Sequence, residues 1–186
     1  EYQDVISSNL EEIQYMSKVL EDLFLLSKSD ENQIVLECKP LELGLIVEEV
    51  CKHSEMIASE KDIRIVIVYL EPAQIYGDPV RLRQMVWNIV QNGIKYTQPG
   101  GEVKVSVQEQ GGQVFMTVQD SGIGISEADL PLIFNRFYRV DKARSRQEGG
   151  SGLGLSICKF IVEAHKGAID VESKLGEGTK FKISLP

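Results

Sequence analysis

Three groups of residues in this 186-residue chain have types and spacings able to do chemistry. Asp120-Ser121-Gly122-Ile123-Gly124 lies between an alternating apolar stretch and a helical one. Glycines two apart let the backbone approach a flat ligand, and a carboxylate at a strand end can accept hydrogen bonds from an exocyclic amine. The same spacing also makes a plain turn. Gly149-Gly150-Ser151-Gly152-Leu153-Gly154 opens a helix, so free N–H groups and the positive helix end face whatever lies above, which suits an anion. Without a ligand it is a helix cap. It is not a P-loop, because no Gly-Lys-Ser/Thr follows, and it does not sit after a strand in a βαβ unit. Asn88, Asn92 and Lys95 stand at i, i+4 and i+7 and share a helix face, opposite apolar Leu82, Met85, Val86, Ile89 and Val90. An amide oxygen is a hard ligand that suits Mg²⁺, and a lysine is a point charge for a phosphate, although a solvated face looks the same.

Such groups need elements to hold them. At roughly 150 residues per domain, the length allows one full domain plus something smaller. With 42% hydrophobic and 26% charged residues, disordered and fibrous chains are excluded. The net charge of −8 disfavours a general nucleic-acid or anionic-membrane surface, so a polyanionic ligand must meet a local basic cluster. The acidity is uneven. Residues 1–31 hold eight acids and two bases, whereas Phe134 to Arg146 gathers Arg136, Arg139, Lys142, Arg144 and Arg146 against Asp141. Cys38, Cys51 and Cys158 are far apart without a C-x-x-C pair, and read as reduced core thiols of a cytosolic compartment. No apolar run approaches the ~18 residues of a membrane span, so no membrane crossing is expected within this stretch. A chain opening on Glu1 reads as a piece of a longer protein, with an upstream anchor left open.

Periodicity places the elements. Ile6, Leu10, Ile13, Leu20 and Phe24 form one stripe and Met16, Val19, Leu23 and Leu26 a second, which predicts one long helix with two apolar faces, suited to a helical bundle. Polar Ser27 to Gln33 marks a boundary. Beyond it we expect a strand over Ile34–Cys38, a helix opened by Pro40 and running to Glu60, a strand over Ile63–Leu70 and a helix over Pro79–Tyr96. A hairpin of Val103–Gln108 and Val114–Gln119 turns at Gly111-Gly112. A short helix over Ser126–Ile133, a helix over Ser151–Lys166 and a strand pair over Ala168–Ser173 and Thr179–Leu185 complete the pattern. The expected fold is an α/β (α+β) two-layer sandwich, a mixed and mostly antiparallel sheet covered on one face by three helices, preceded by one long amphipathic helix.

Taken together, Asn88-Ile-Val-Gln-Asn92-Gly-Ile-Lys95-Tyr96-Thr97, Asp120 to Gly124, Phe134-Asn-Arg-Phe137-Tyr138-Arg139 and Gly150 to Gly154 resemble, in order, the N box, first glycine box, F box and second glycine box of the sensor histidine kinases. These belong to the ATPase superfamily of DNA gyrase B, the chaperone Hsp90 and MutL. The similarity runs from about Asp78 to the end. The resemblance implies an ATP-binding catalytic domain over residues 32–186, and residues 1–31 resemble the second helix of a dimerisation and phosphotransfer hairpin. The resemblance implies that Asp120 takes the adenine amino group, which a guanine carbonyl would not satisfy. Gly122 and Gly124 would floor the base pocket, and Asn92 would bind Mg²⁺. Asn88 and Lys95 would lie near the phosphates and Tyr96 beside the nucleoside. Gly150, Ser151, Gly152, Leu153, Gly154 and Leu155 would offer backbone N–H groups to the phosphates under a lid of residues 140–150, with Phe134 and Phe137 as its anchors. Arg139 would contact the γ-phosphate, and Ile125, Tyr138 and Thr179 would complete the pocket. Gly93 departs from the pattern, since an alanine is usual there.

In the hydrolysing relatives a glutamate stands four before the metal asparagine; Asn88 cannot act as a base, which favours phosphoryl transfer. The family's acceptor is a histidine followed by an acidic residue, an arginine and a proline. Neither His53 nor His165 has that context, and both read as structural. The expectation is a kinase domain, cytoplasmic, using ATP and Mg²⁺. Its partners would be a histidine-bearing helix of the same kinase, a response regulator receiver domain and a second copy in the full-length protein, with no nucleic acid and no direct membrane contact. The alternatives are a nucleotide-binding regulatory module without transfer activity and a gyrase- or Hsp90-like ATPase.

Overall fold

The computed structural model describes residues 2–30, 34–140 and 150–186. Tyr2–Asp30, free of Pro and Gly, forms helix α1. Its two apolar stripes have different fates. Leu26 is buried and Val19 and Leu23 pack on the core, while Ile6, Leu10, Ile13, Leu20 and Phe24 are exposed. Met16, which belongs to the second stripe, is exposed too.

Lys39–Glu42 (β1) pairs antiparallel with Gln74–Gly77 (β3) as a separate two-stranded ribbon. Two expectations are corrected here: Ile34–Cys38 is not a strand, and Pro40 lies in β1 instead of opening a helix. Pro40 lacks an N–H but its fixed φ suits a short edge strand. Helix α2 begins at Leu43 and ends at Glu60; with no side-chain cap at Glu42, the Leu43 N–H is satisfied by the Ala73 carbonyl at 3.1 Å.

The main sheet has the order β2-β4-β5-β7-β6, built from Arg64–Leu70 (β2), Glu102–Gln110 (β4), Gln113–Asp120 (β5), Ala168–Lys174 (β6) and Gly178–Leu185 (β7). Only β2 and β4 run parallel. Gly111 and Gly112 have φ of +63° and +76°, the left-handed pair that a tight hairpin needs. Strict alternation turns Val103, Val105, Val107, Val114, Met116, Val118, Ile183 and Leu185 inward. They meet Leu82, Met85, Val86, Ile89, Val90 and Ile94 of helix α3 (Pro79–Tyr96), flanked by α2 and by helix α4 (Gly154–Ala164). Each fully buried aliphatic side chain contributes about 1.5–3 kcal/mol. The other sheet face carries Lys104, Gln119 and Lys182, all exposed. The two-layer sandwich with three helices on one face is as the sequence leads one to expect.

Two further boundaries move. Ser126–Ile133 is not an α-helix; only a 3₁₀ turn forms at Leu130–Leu132, because Pro131 removes a donor in mid-segment. Ser126 Oγ instead accepts from the Asp129 N–H at 3.3 Å, ahead of that turn. Helix α4 starts three residues later than expected, since Gly152 takes φ +73°. The lid over residues 140–150, with Lys142, Arg144 and Arg146, lies outside the described residues except at Val140 and Gly150.

Candidate functional site

The site is built on α3, and the start of α3 is fixed tightly. Asp78 caps it, Oδ1 accepting from the N–H groups of Val80 at 2.9 Å and Arg81 at 3.2 Å, with Pro79 at the first helical position. The Asp78 N–H donates to Nε2 of buried His165 at 2.9 Å, while His165 Nδ1 faces the Ile161 carbonyl at 2.7 Å. That pairing assigns the proton to Nδ1 and makes His165 a neutral clamp between α4 and α3. Asn88, Asn92, Lys95 and Tyr96 are thereby set along α3. Asn88 is also tied to the glycine-rich helix start, its Nδ2 donating to the Gly154 carbonyl at 3.4 Å.

Asp120 ends β5 and is 8% exposed. Its Oδ1 accepts from the N–H of Gly122 at 2.9 Å and of Thr179 at 3.2 Å. Burial pushes the carboxyl up from the ordinary aspartate value, and these backbone donors pull it back without cancelling the effect. The chain then threads a passage too narrow for side chains. A Cβ on Gly122 would lie 2.4 Å from the Tyr96 carbonyl, and one on Gly124, at φ +68°, would lie 2.0 Å from the Lys174 carbonyl. Ile125 N–H donates to Ser173 Oγ at 2.8 Å, tying the loop to the β6–β7 end.

Two cavities open above these residues. The first, about 410 Å³, is lined by Asn92, Lys95, Tyr96, Asp120, Gly124, Ile125, Tyr138, Arg139, Leu155 and Thr179. The second, about 430 Å³, shares Asn92, Lys95, Tyr96, Tyr138, Arg139 and Leu155, and adds Asn88, Gly150, Ser151, Gly152 and Gly154. Of the residues expected to contact the nucleotide, Gly122 and Leu153 line neither. Gly122 sits beneath Asp120, and Leu153 is fully buried as the residue before α4. The Tyr138 hydroxyl donates to Asp129 Oδ1 at 2.5 Å, which together with Ser126 holds the Asp129 carboxyl below its usual range. Phe134 packs on the core, but Phe137 is 56% exposed and its part in the site is its backbone, the N–H donating to the Gly152 carbonyl. Motif reading missed Ile123, Ile133 and Phe181 as apolar walls, Lys61 at both cavities, and Tyr15, Lys18 and Asp22 of α1 at the second.

A carboxylate at the bottom of one chamber, joined to a second under a helix start and beside a lysine, fits a nucleoside with its phosphates. The family model described as histidine kinase-, DNA gyrase B-, and HSP90-like ATPase matches residues 77–186, and the chain belongs to that family. Within it, the chain is similar to sensor histidine kinases. It is 40% identical to sensor histidine kinase CusS of Escherichia coli O157:H7 over all of this chain and 38% of that protein. It is 34% identical to signal transduction histidine-protein kinase ArlS of Staphylococcus epidermidis over 99% of this chain and 40% of that one. It therefore spans about two fifths of their length. Among solved structures, full-length ShkA in complex with AMPPNP superimposes with TM-score 0.87 at 26% identity, over 99% of this chain and 38% of that one. The mycobacterial sensor histidine kinase MprB gives 0.70 at 30% identity, over 80% and 97%. Among the described residues no helix is long and apolar enough to cross a membrane.

Proposed function

We propose that this chain is the ATP-binding kinase domain of a sensor histidine kinase, transferring the ATP γ-phosphoryl group to a histidine on a helix outside this chain for relay to a response regulator aspartate. The observation that carries the reading is the buried Asp120 carboxylate, held through Oδ1 by Gly122 and Thr179, at the end of a cavity that runs on to the α4 start. Oδ2 is the acceptor for the adenine amino group. Tyr96 and Ile125 flank the nucleoside, and Lys95, Arg139 and the backbone of Gly150 to Gly154 take the phosphates. Thr179 orients Asp120 through its N–H. Asn92 lines both cavities, and its amide oxygen suits an Mg²⁺ held mostly by phosphate and water; no cluster of three His, Cys, Asp or Glu is found among the described residues. When bound, Mg²⁺ neutralises phosphate charge.

In the transfer, a lone pair of the acceptor imidazole forms the N–P bond as the bond to ADP breaks, its electrons leaving on the β-phosphate oxygen. The domain supplies position and charge neutralisation. Asn88 supports transfer over hydrolysis: an amide cannot take a proton from water, and this one is hydrogen-bonded to Gly154. Residues 1–31 are read as the second hairpin helix, with the exposed stripe of α1 as its bundle face in a homodimer, and residues 32–186 as the catalytic domain on the cytoplasmic side. The test supplies Mg-ATP and a separate helix bearing the acceptor histidine. Phosphohistidine on that helix, lost with Asp120→Asn, is the expected result. Robust hydrolysis without transfer would assign the chain to the hydrolysing branch, and binding with neither to a regulatory module.

A further inference from the structure

The second cavity is lined by α1 as well as by α3 and the start of α4. Tyr15, Lys18 and Asp22, three and four apart on one face of α1, line it together with Lys95 and Gly150. Helix α1 is held in this place by specific contacts. Asp22, 6% exposed, accepts from Gln84 Nε2 at 3.3 Å, and Gln84 Oε1 accepts from Arg81 Nη1 at 3.1 Å. Arg136 Nη2 donates to the Leu26 carbonyl at 3.4 Å, and Leu25 and Leu26 are buried. Lys18 is different: it is exposed, one turn before Asp22, on the wall of the cavity.

We infer that Lys18 is a phosphate-positioning residue that α1 lends to the nucleotide site, so that nucleotide affinity depends on where α1 is docked. The inference rests on the nucleotide-domain reading above. Charge carries the argument. A polyphosphate in this cavity faces Lys95 and Arg139 from the domain, and α1 brings both a cation and the Asp22 carboxylate, which is drawn to Lys18 itself and accepts from Gln84. Linkage makes the effect reciprocal: a nucleotide that binds docked α1 better also strengthens the docking, and more so with more phosphates.

The experiment uses the whole chain with adenosine, Mg-ADP and Mg-ATP as probes. Affinities are read by calorimetry and by the emission of Trp87, the single tryptophan, which lines this cavity. We expect Lys18→Gln to weaken ATP binding about three- to fivefold and Lys18→Glu about tenfold, with ADP affected less, adenosine not at all, and Lys18→Arg near wild type. In the wild type, ATP should slow amide exchange over residues 15–26 more than adenosine does. Equal losses for all three probes would make Lys18 merely structural and overturn the proposal, as would no loss with any. A wild type that binds none of the probes would instead overturn the nucleotide-domain reading itself. Adenosine binding in each variant doubles as the check that it has folded.

Discussion

Asp120 is kept nearly dry and yet held by two backbone donors, and its behaviour with pH follows from that balance. Burial raises its pKa above the ordinary 3.8, so the carboxylate needed for an amino donor is lost on acidification sooner than at an exposed aspartate. Adenosine affinity should therefore fall, as pH is lowered, before it would with an ordinary aspartate. Stability has the opposite sign. A raised folded-state pKa means that the stability contributed by the protonated form is lost as pH rises from the unfolded-state value through the folded-state one. Asp120→Asn keeps an acceptor for Gly122 and Thr179 and carries no charge. It should leave the melting temperature unchanged or higher at pH 7 while cutting ATP affinity by about tenfold or more, a split that calorimetry and thermal melts resolve. The thiols obey the same physics. Burial pushes Cys51 up to about 11 and Cys158 higher still. In the native protein a thiol reagent should reach half-buried Cys38 first, with Cys51 and Cys158 reacting only on unfolding.

At the scale of elements, the joints matter more than the helices. His165→Ala leaves the buried Asp78 N–H without its acceptor where α3 begins, and should cost about 1–3 kcal/mol of unfolding free energy in a urea titration. Gly124→Ala and Gly111→Ala both place alanine at positive φ, but only the first drives a Cβ into a carbonyl, at 2.0 Å; at Gly111 nothing lies within 4 Å. The Gly111 change should cost about 1 kcal/mol and leave nucleotide affinity intact, whereas the Gly124 change should abolish it. These joints also explain what could be read in advance. Helix spacing puts Asn88, Asn92 and Lys95 on one face and the glycines beyond Asp120 mark a turn, but only the resemblance to the kinase boxes sets these readings above a solvated face and a plain turn. The ribbon of β1 and β3 was not legible, because four-residue strands carry almost no period and Lys39 pairs with Gly77 far along the chain. The wall that α1 adds to the second cavity was hidden for a related reason. Nothing local to Tyr15 or Lys18 marks them as site residues; packing of Leu25 and Leu26 puts them there.

For the whole molecule, α1 is a helix with one face committed and one uncommitted. Leu26→Ala should cost about 2–5 kcal/mol by denaturant unfolding, as expected for a fully buried leucine. Ile13→Ser on the exposed stripe should stay within about 0.5 kcal/mol in dilute protein. The last strand has a different kind of importance. Thr179, whose N–H holds Asp120, belongs to β7, which is inserted between β5 and β6. In chain order, α3, the Asp120 loop and the glycine-rich start of α4 all precede the strand whose Thr179 N–H orders the Asp120 carboxylate. A chain cut short before Gly178 should bind no nucleotide however much of its helical layer has formed. The last strand made is therefore the one that joins β5 to β6 and completes the hydrogen-bonded setting of Asp120.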